Sequence, residues 1–220
     1  MADFPFAIVG FDLDGTLLDT SGDLAAAVNH ALASVGRPPL TIEQVKPMVG
    51  GGARHMLAQG MAKTGGYEEP TLDLLHKRLL AFYEAHISVH TRPFPGALRA
   101  MDALEARGVK LGIMTNKIER FARTVLGDLG LLDRFAAVIG GDTVGVSKPD
   151  PAPILAMVER CGGGRAAFVG DSIYDMRAAK AAGLPVVACS FGFLTGPVEE
   201  LGADAVIDGF GDLVSTLQRL

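Results

Sequence analysis

Three strand-like segments of this chain stop abruptly at an acid or a hydroxyl, and that pattern constrains the fold more than any other feature. Phe6–Phe11 ends at Asp12, Val109–Met114 ends at Thr115, and Ala166–Val169 leads through Gly170 to Asp171. Short, mostly apolar runs of this kind suit strands buried on both faces, as in a parallel sheet covered by helices. In such a sheet the carboxyl ends of the strands lie along one edge, where ligands bind. Asp12-Leu13-Asp14-Gly15-Thr16, Thr115-Asn116, Lys148-Pro149 and Gly170-Asp171-Ser172 with Asp175 would then converge on one site. That site would hold four carboxylates, one lysine and one hydroxyl. So many acids call for a divalent cation, and the lysine and hydroxyl suit a phosphoryl group.

The rest of the chain supports an α/β fold with an insertion. From Phe94-Pro95-Gly96 onward, helical and strand patterns alternate: helices at 97–107, 118–129, 152–160 and 174–182, with strands at 109–114, 136–139, 166–169, 185–189 and 205–207. Alternation of this kind predicts a doubly wound parallel sheet with a Rossmann-like core. Residues from about Ser21 to His90 have a different texture. Ala25, Val28, Leu32 and Val35 recur at helical spacing, as do Leu72, Leu75, Leu79, Leu80 and Tyr83, with Gly36-Arg37-Pro38-Pro39 between as a breaker. The expected division is a core of residues 1–16 and 93–220 with an inserted α-helical cap at 17–92.

Composition excludes several partners. The net charge is -5 with no dense Lys/Arg run, which argues against a nucleic-acid face or an anionic membrane surface. No apolar stretch approaches the ~18 residues of a membrane span. The N-terminus lacks a basic start and its apolar run stops at Asp12, unlike a signal peptide, so a cytoplasmic location is expected. Cys161 and Cys189 have neither CxxC nor zinc-ligand spacing and read as unpaired core cysteines. All five histidines lie between His30 and His90, so proton transfer in the sheet region falls to a carboxylate.

Each polar signal has its own chemistry. Asp12 and Asp14 are two residues apart, which in extended chain points them to the same side. Two close carboxylates repel unless a cation joins them, and the pair suits one nucleophile and one general acid/base. Thr115 and Asn116 can hold phosphate oxygens. Lys148 lies before Pro149 and Pro151, which stiffen its backbone. Asp171 and Asp175 can contribute to a hard-cation site. Gly50, Gly51 and Gly52, opening a helix, would turn backbone N–H groups toward an anion, and Arg54 beside them can pair with a carboxylate.

In combination these motifs resemble the haloacid dehalogenase superfamily of phosphohydrolases, in the subgroup with a helical cap after the first motif. The resemblance spans essentially the whole chain. It implies that Asp12 attacks phosphorus and forms an aspartyl-phosphate, and that Asp14 protonates the leaving oxygen and then activates water. It implies phosphate contacts from Thr115 and a bridge from Lys148 between Asp12 and phosphate. It also implies Mg²⁺ on Asp12, the Asp14 carbonyl and Asp171, with Asp175 in support. Val49–Ala53, Phe94-Pro95-Gly96, Thr115-Asn116-Lys117, Gly140-Gly141-Asp142, Lys148–Pro151 and Phe191-Gly192-Phe193 are most similar to bacterial phosphoglycolate phosphatases. Those usually carry Asn at the position of Gly51 and Tyr-Gly-Tyr at that of Phe191–Phe193. The expected substrate is a small phosphorylated metabolite, 2-phosphoglycolate first, with Asn116, Gly51, Gly52 and Arg54 as binding residues. The alternatives are a sugar phosphate, pyrophosphate or nucleotide phosphatase, or a β-phosphoglucomutase-like mutase, on a monomer or homodimer. Phe168–Ser172 also resembles the nucleophile segment of GDS-type serine esterases, but the histidine they need downstream is missing after Ser172.

Overall fold

The first strand, β1 (Ile8–Phe11), is buried along its whole length. The computed structural model describes residues 4–220. A two-residue strand β2 (Leu18–Asp19) follows β1, and then come four helices: α1 (Ser21–Ala33), α2 (Ile42–Val45), α3 (Ala53–Lys63) and α4 (Glu69–Ala85). The short strand β3 (Arg92–Pro93) leads into α5 (Ala97–Glu105), β4 (Lys110–Met114), α6 (Glu119–Asp128), β5 (Phe135–Ile139) and α7 (Ala152–Arg160). The chain ends with β6 (Ala166–Gly170), α8 (Ile173–Ala181), β7 (Val186–Cys189), β8 (Ala205–Ile207) and α9 (Leu213–Leu217).

Six strands form one sheet in the order β5-β4-β1-β6-β7-β8, and every pairing in it is parallel. The strand order reverses around β1, so the crevice between β4 and β6 is the switch point where ligands bind in such sheets. Both faces of the sheet are covered, as the apolar strands require. Ile8 packs on one side with Met157 of α7 and Met176 of α8, while Val9 and Phe11 face Phe121 of α6 and Leu213 of α9. Cys161 and Cys189 are buried free thiols within these layers.

The helical block between β1 and α5 has the expected amphipathic logic. Leu24, Val28 and Leu32 of α1 are buried at helical spacing, as are Leu72, Leu75, Leu79 and Tyr83 of α4, and the two helices pack together. Val35 is exposed, because α1 ends at Ala33. The segments leaving and re-entering the sheet region pair with each other: β2 and β3 form an antiparallel ribbon with Leu18 opposite Pro93 and Asp19 opposite Arg92. The sequence pattern does not predict this ribbon. Asp23, in the first turn of α1, locks the same junction: its buried carboxylate accepts the His90 and Thr91 N–H groups and the Thr91 hydroxyl. Among the described residues no helix is long and apolar enough to cross a membrane.

Candidate active site

Sheet register brings the predicted residues to one edge. Phe11 pairs with Ile113 of β4 and Val169 of β6, so Asp12, Thr115 and Asp171 leave three adjacent strands within two residues of one level. Asp12 extends the pairing, its N–H donating to the Val169 carbonyl at 2.9 Å. Lys148 arrives from the loop after β5 and leads into Pro149 through a cis peptide bond. Asn116 anchors that loop: its Oδ1 accepts the Lys148 N–H at 2.9 Å, and its Nδ2 donates to the Lys148 carbonyl and to that of Gly50. The Asn116 amide therefore braces two loops against each other.

Lys148 is the centre of the charge network. Its Nζ lies 2.9 Å from Asp12 Oδ1 and 2.5 Å from Asp175 Oδ1, and it donates to the Met114 carbonyl at 3.0 Å. Burial alone would lower its pKa, but Asp12 and Asp175 outweigh that and raise it. Asp175 also accepts the Asp171 and Ser172 N–H groups and the Ser172 hydroxyl on Oδ2. Ser172 caps α8 reciprocally, so a common helix-start device doubles as the support for the lysine. The hydrogen-bonding capacity of Asp175 is thus largely taken up. Asp12 differs: its buried Oδ1 lies close to Lys148 yet makes no well-aligned hydrogen bond. Burial pushes the Asp12 carboxyl up to about 7, with Lys148 opposing and Asp175 and Asp14 adding to the rise. Asp171 is likewise raised, first by burial and then by Asp175 and Asp12, against the Phe193 N–H and the Thr16 hydroxyl.

Asp12, Asp171 and Asp175 bring carboxylate oxygens within 4.8 Å of one another. Three buried acids around one lysine leave negative charge uncompensated, and all offer hard oxygen donors. A divalent cation fits that donor set, with Asp12 and Asp171 as the carboxylates best able to take it. The space around Asp171 is shaped for close approach. Thr16 Oγ1 donates to Asp171 Oδ1 at 2.8 Å, so Thr16 ties β1 to β6. The Phe193 N–H donates to Oδ2 at 2.7 Å. A Cβ at Gly15 would stand 2.3 Å from Asp171 Oδ2, and one at Gly192 would stand 2.2 Å from the Asp171 Cβ. Only glycine fits at either position, and Gly15 also has φ +84°.

A cavity of about 280 Å³ opens above this edge and is roofed by the helical block. Asp12, Asp14, Thr115, Asn116, Gly51, Gly52 and Arg54 all line it. Gly52 is the N-cap of α3, so the glycine turn does open a helix. Arg54, however, is exposed and pairs with Glu69 and Asp73 of α4. Its guanidinium is therefore held by the cap's own acids, which the sequence reading of a substrate-facing cation did not foresee. Those partners lie fifteen and nineteen residues away on another helix, beyond any local pattern.

The structure adds residues that sequence reasoning passed over. Lys117 Nζ reaches both oxygens of Asp14, at 2.7 and 2.8 Å, with its side chain only 5% exposed. The same ammonium lies 4.8 Å from the centre of the Tyr83 ring of α4. Burial would lower the Lys117 pKa, but Asp14 and then Tyr83 raise it. Tyr83 is buried, its hydroxyl has no hydrogen-bond partner, and burial pushes its pKa up to about 12. The only signal for Lys117 in the sequence was its place beside Thr115-Asn116.

Comparison with known proteins identifies the family. Residues 9–189 match the family model described as "Haloacid dehalogenase-like hydrolase". A phosphoglycolate phosphatase of Agrobacterium fabrum is 41% identical over 216 residues, covering 97% of this chain and 92% of its own length. One from Rhodospirillum rubrum is 42% identical over 216 residues, covering 95% and 89%. Among solved structures, a predicted phosphoglycolate phosphatase from Haemophilus somnus superposes with a TM-score of 0.89 at 28% identity, covering 96% of this chain and 98% of its own. A six-stranded parallel sheet, an acid pair after its first strand and a match over most of the chain together place this protein in the haloacid dehalogenase-like hydrolase family.

Proposed function

We propose that this chain is a Mg²⁺-dependent phosphomonoester hydrolase that acts through an aspartyl-phosphate, with 2-phosphoglycolate as its substrate. One observation carries the reading: Asp12, Asp14, Thr115, Lys148 and Asp171 meet at the switch point of the sheet, with Asp12, Asp14 and Thr115 lining one small cavity. A volume of about 280 Å³ sits at the low end of ligand pockets, which favours a small substrate over a nucleotide. The names of the relatives point to the same metabolite.

In this mechanism Lys148 favours the ionised form of Asp12 against its burial and offers charge to the incoming phosphoryl group. Asp12 attacks phosphorus in line, and Asp14 donates a proton to the leaving oxygen. Thr115 and neighbouring amides hold the phosphoryl oxygens. Asp14 then takes a proton from the water that hydrolyses the acyl phosphate. Asp12, the Asp14 carbonyl and Asp171 are the residues that would hold Mg²⁺, which when bound neutralises charge on nucleophile and phosphoryl group. Asp175 positions Lys148. The catalytic core is residues 1–16 and 93–220, and residues 17–92 form a cap that excludes bulk water. The setting is the cytoplasm, and the partner is a small phosphorylated metabolite.

The test is inorganic phosphate release from a panel containing 2-phosphoglycolate, sugar phosphates, pyrophosphate and nucleotides, with Mg²⁺ and with chelator. A Mg²⁺-dependent preference for 2-phosphoglycolate supports the reading. Equal turnover across the panel would retain the hydrolase and remove the substrate assignment. Isomerised phosphate monoester without phosphate release would replace it with a mutase.

A further inference from the structure

We propose that Lys117 is the site's second anion-binding group, and that it exchanges Asp14 for the substrate's own carboxylate when substrate binds. The inference rests on the reading that the substrate carries a carboxylate beside its phosphate.

Three observations point to Lys117. The first is its position. The residue that protonates the leaving oxygen must lie next to that oxygen, and in 2-phosphoglycolate one methylene separates the oxygen from the carboxylate. A cation in contact with both oxygens of Asp14 is therefore on the side of the cavity where that carboxylate must lie. The second is burial. Arg54 and His76 also line the cavity, but Arg54 is exposed and turned to Glu69 and Asp73, burial and then Arg54 favour the neutral form of His76, and Lys148 is held between Asp12 and Asp175, whereas the Lys117 side chain is only 5% exposed. The third is the Tyr83 hydroxyl, buried among the cavity residues beside the Lys117 ammonium and making no well-formed hydrogen bond. A buried unpaired hydroxyl costs stability unless a ligand completes it. A carboxylate placed there would accept from both the ammonium and the phenol.

The ammonium keeps one carboxylate partner throughout, and the Asp14 carboxylate it releases takes up a proton from solvent, the proton that Asp14 then passes to the leaving oxygen. The exchange also has a consequence for specificity. In the free protein both oxygens of Asp14 are taken up by Lys117. A carboxylate-bearing substrate releases Asp14, whereas a substrate without the carboxylate leaves it held. Lys117 thus makes release of Asp14 depend on the group that identifies the substrate.

The experiment compares 2-phosphoglycolate with ethyl phosphate, which lacks the carboxylate, in wild type, Lys117→Met and Lys117→Arg. The readout is the ratio of kcat/KM for the two substrates. The wild type should prefer 2-phosphoglycolate. Lys117→Met should lower that ratio by about 10- to 100-fold, the worth of one charge-assisted hydrogen-bonding partner, mainly through KM for 2-phosphoglycolate. Lys117→Arg, which keeps a cation, should retain part of the preference. An unchanged ratio in Lys117→Met, with both substrates slowed together, would reduce Lys117 to a support for Asp14 and overturn the exchange. No preference in the wild type would overturn the substrate reading itself, and with it this inference. Should Lys117→Met fail to fold, a crystal structure of Asp12→Asn with 2-phosphoglycolate decides. Lys117 Nζ should sit on the substrate carboxylate, and a Lys117–Asp14 pair intact beside bound substrate would refute the exchange.

Discussion

Asp12 is held in place by opposing forces. Burial and two neighbouring acids favour its neutral form, and Lys148 favours the carboxylate. A free aspartate ionises near 3.8, whereas this one is pushed up to about 7. Between those values the folded protein binds more protons than the unfolded chain, so stability from this group is present at low pH and falls as pH rises through 7. At about 1.4 kcal/mol per unit, the loss reaches at most about 4 kcal/mol. In chelator, therefore, the unfolding temperature of the wild type should decline from pH 5 to pH 8. Asp12→Asn should lessen that decline, leaving the part that Asp171 contributes, and raise the unfolding temperature at pH 8. A variant that is less stable than wild type at pH 8 would show that the Lys148 pair outweighs desolvation. The same substitution removes the nucleophile, so its turnover should fall by about 10³-fold or more. Asp12, Asp14, Lys148 and Asp171 were all legible in the sequence, because each is a polar residue placed where an apolar run ends or a rigid proline segment begins. Lys117, Tyr83 and Asp23 were not. Their residue types are ordinary where they stand, and their meaning comes only from partners brought close by the fold.

At the scale of elements, the sheet strands were readable because each is short and apolar, and all but the edge strand β8, where only Ile207 is buried, are largely covered on both faces. The β2–β3 ribbon was not, since two-residue strands pairing across more than seventy positions leave no periodic signal. Asp23 reinforces that ribbon from α1 by accepting from two backbone N–H groups and one hydroxyl. Asp23→Ala should cost about 3 kcal/mol, because it strands the buried N–H and hydroxyl of Thr91. Chemical denaturation should register the loss, and a change below about 0.5 kcal/mol would show that water replaces the carboxylate. The Arg54 pairs with Glu69 and Asp73 are exposed on α3 and α4. Surface pairs of this kind contribute little, so Arg54→Ala should leave the unfolding temperature nearly unchanged. A large rise in KM for 2-phosphoglycolate in that variant would return Arg54 to the substrate-binding role that its place beside the glycine turn had implied.

Across the whole molecule, the sheet supplies the carboxylates and the helical block supplies the roof. The α/β class and the position of the insertion followed from the alternation of patterns after Phe94 and its absence before His90. The closeness of Asp12, Asp171 and Asp175 gives the fold a set of oxygen donors that a divalent cation would fit. A ligand that binds only the folded state stabilises it by mass action, by about 2.7 kcal/mol at one hundred times its dissociation constant. Mg²⁺ should accordingly raise the unfolding temperature of the wild type, and less so that of Asp171→Asn. Equal shifts in the two proteins would move the cation elsewhere. The most direct test of the account is phosphate release from 2-phosphoglycolate by wild type and Asp12→Asn side by side, each with Mg²⁺ and with chelator. The account predicts rapid release only from the wild type with Mg²⁺, while comparable release from Asp12→Asn would contradict it.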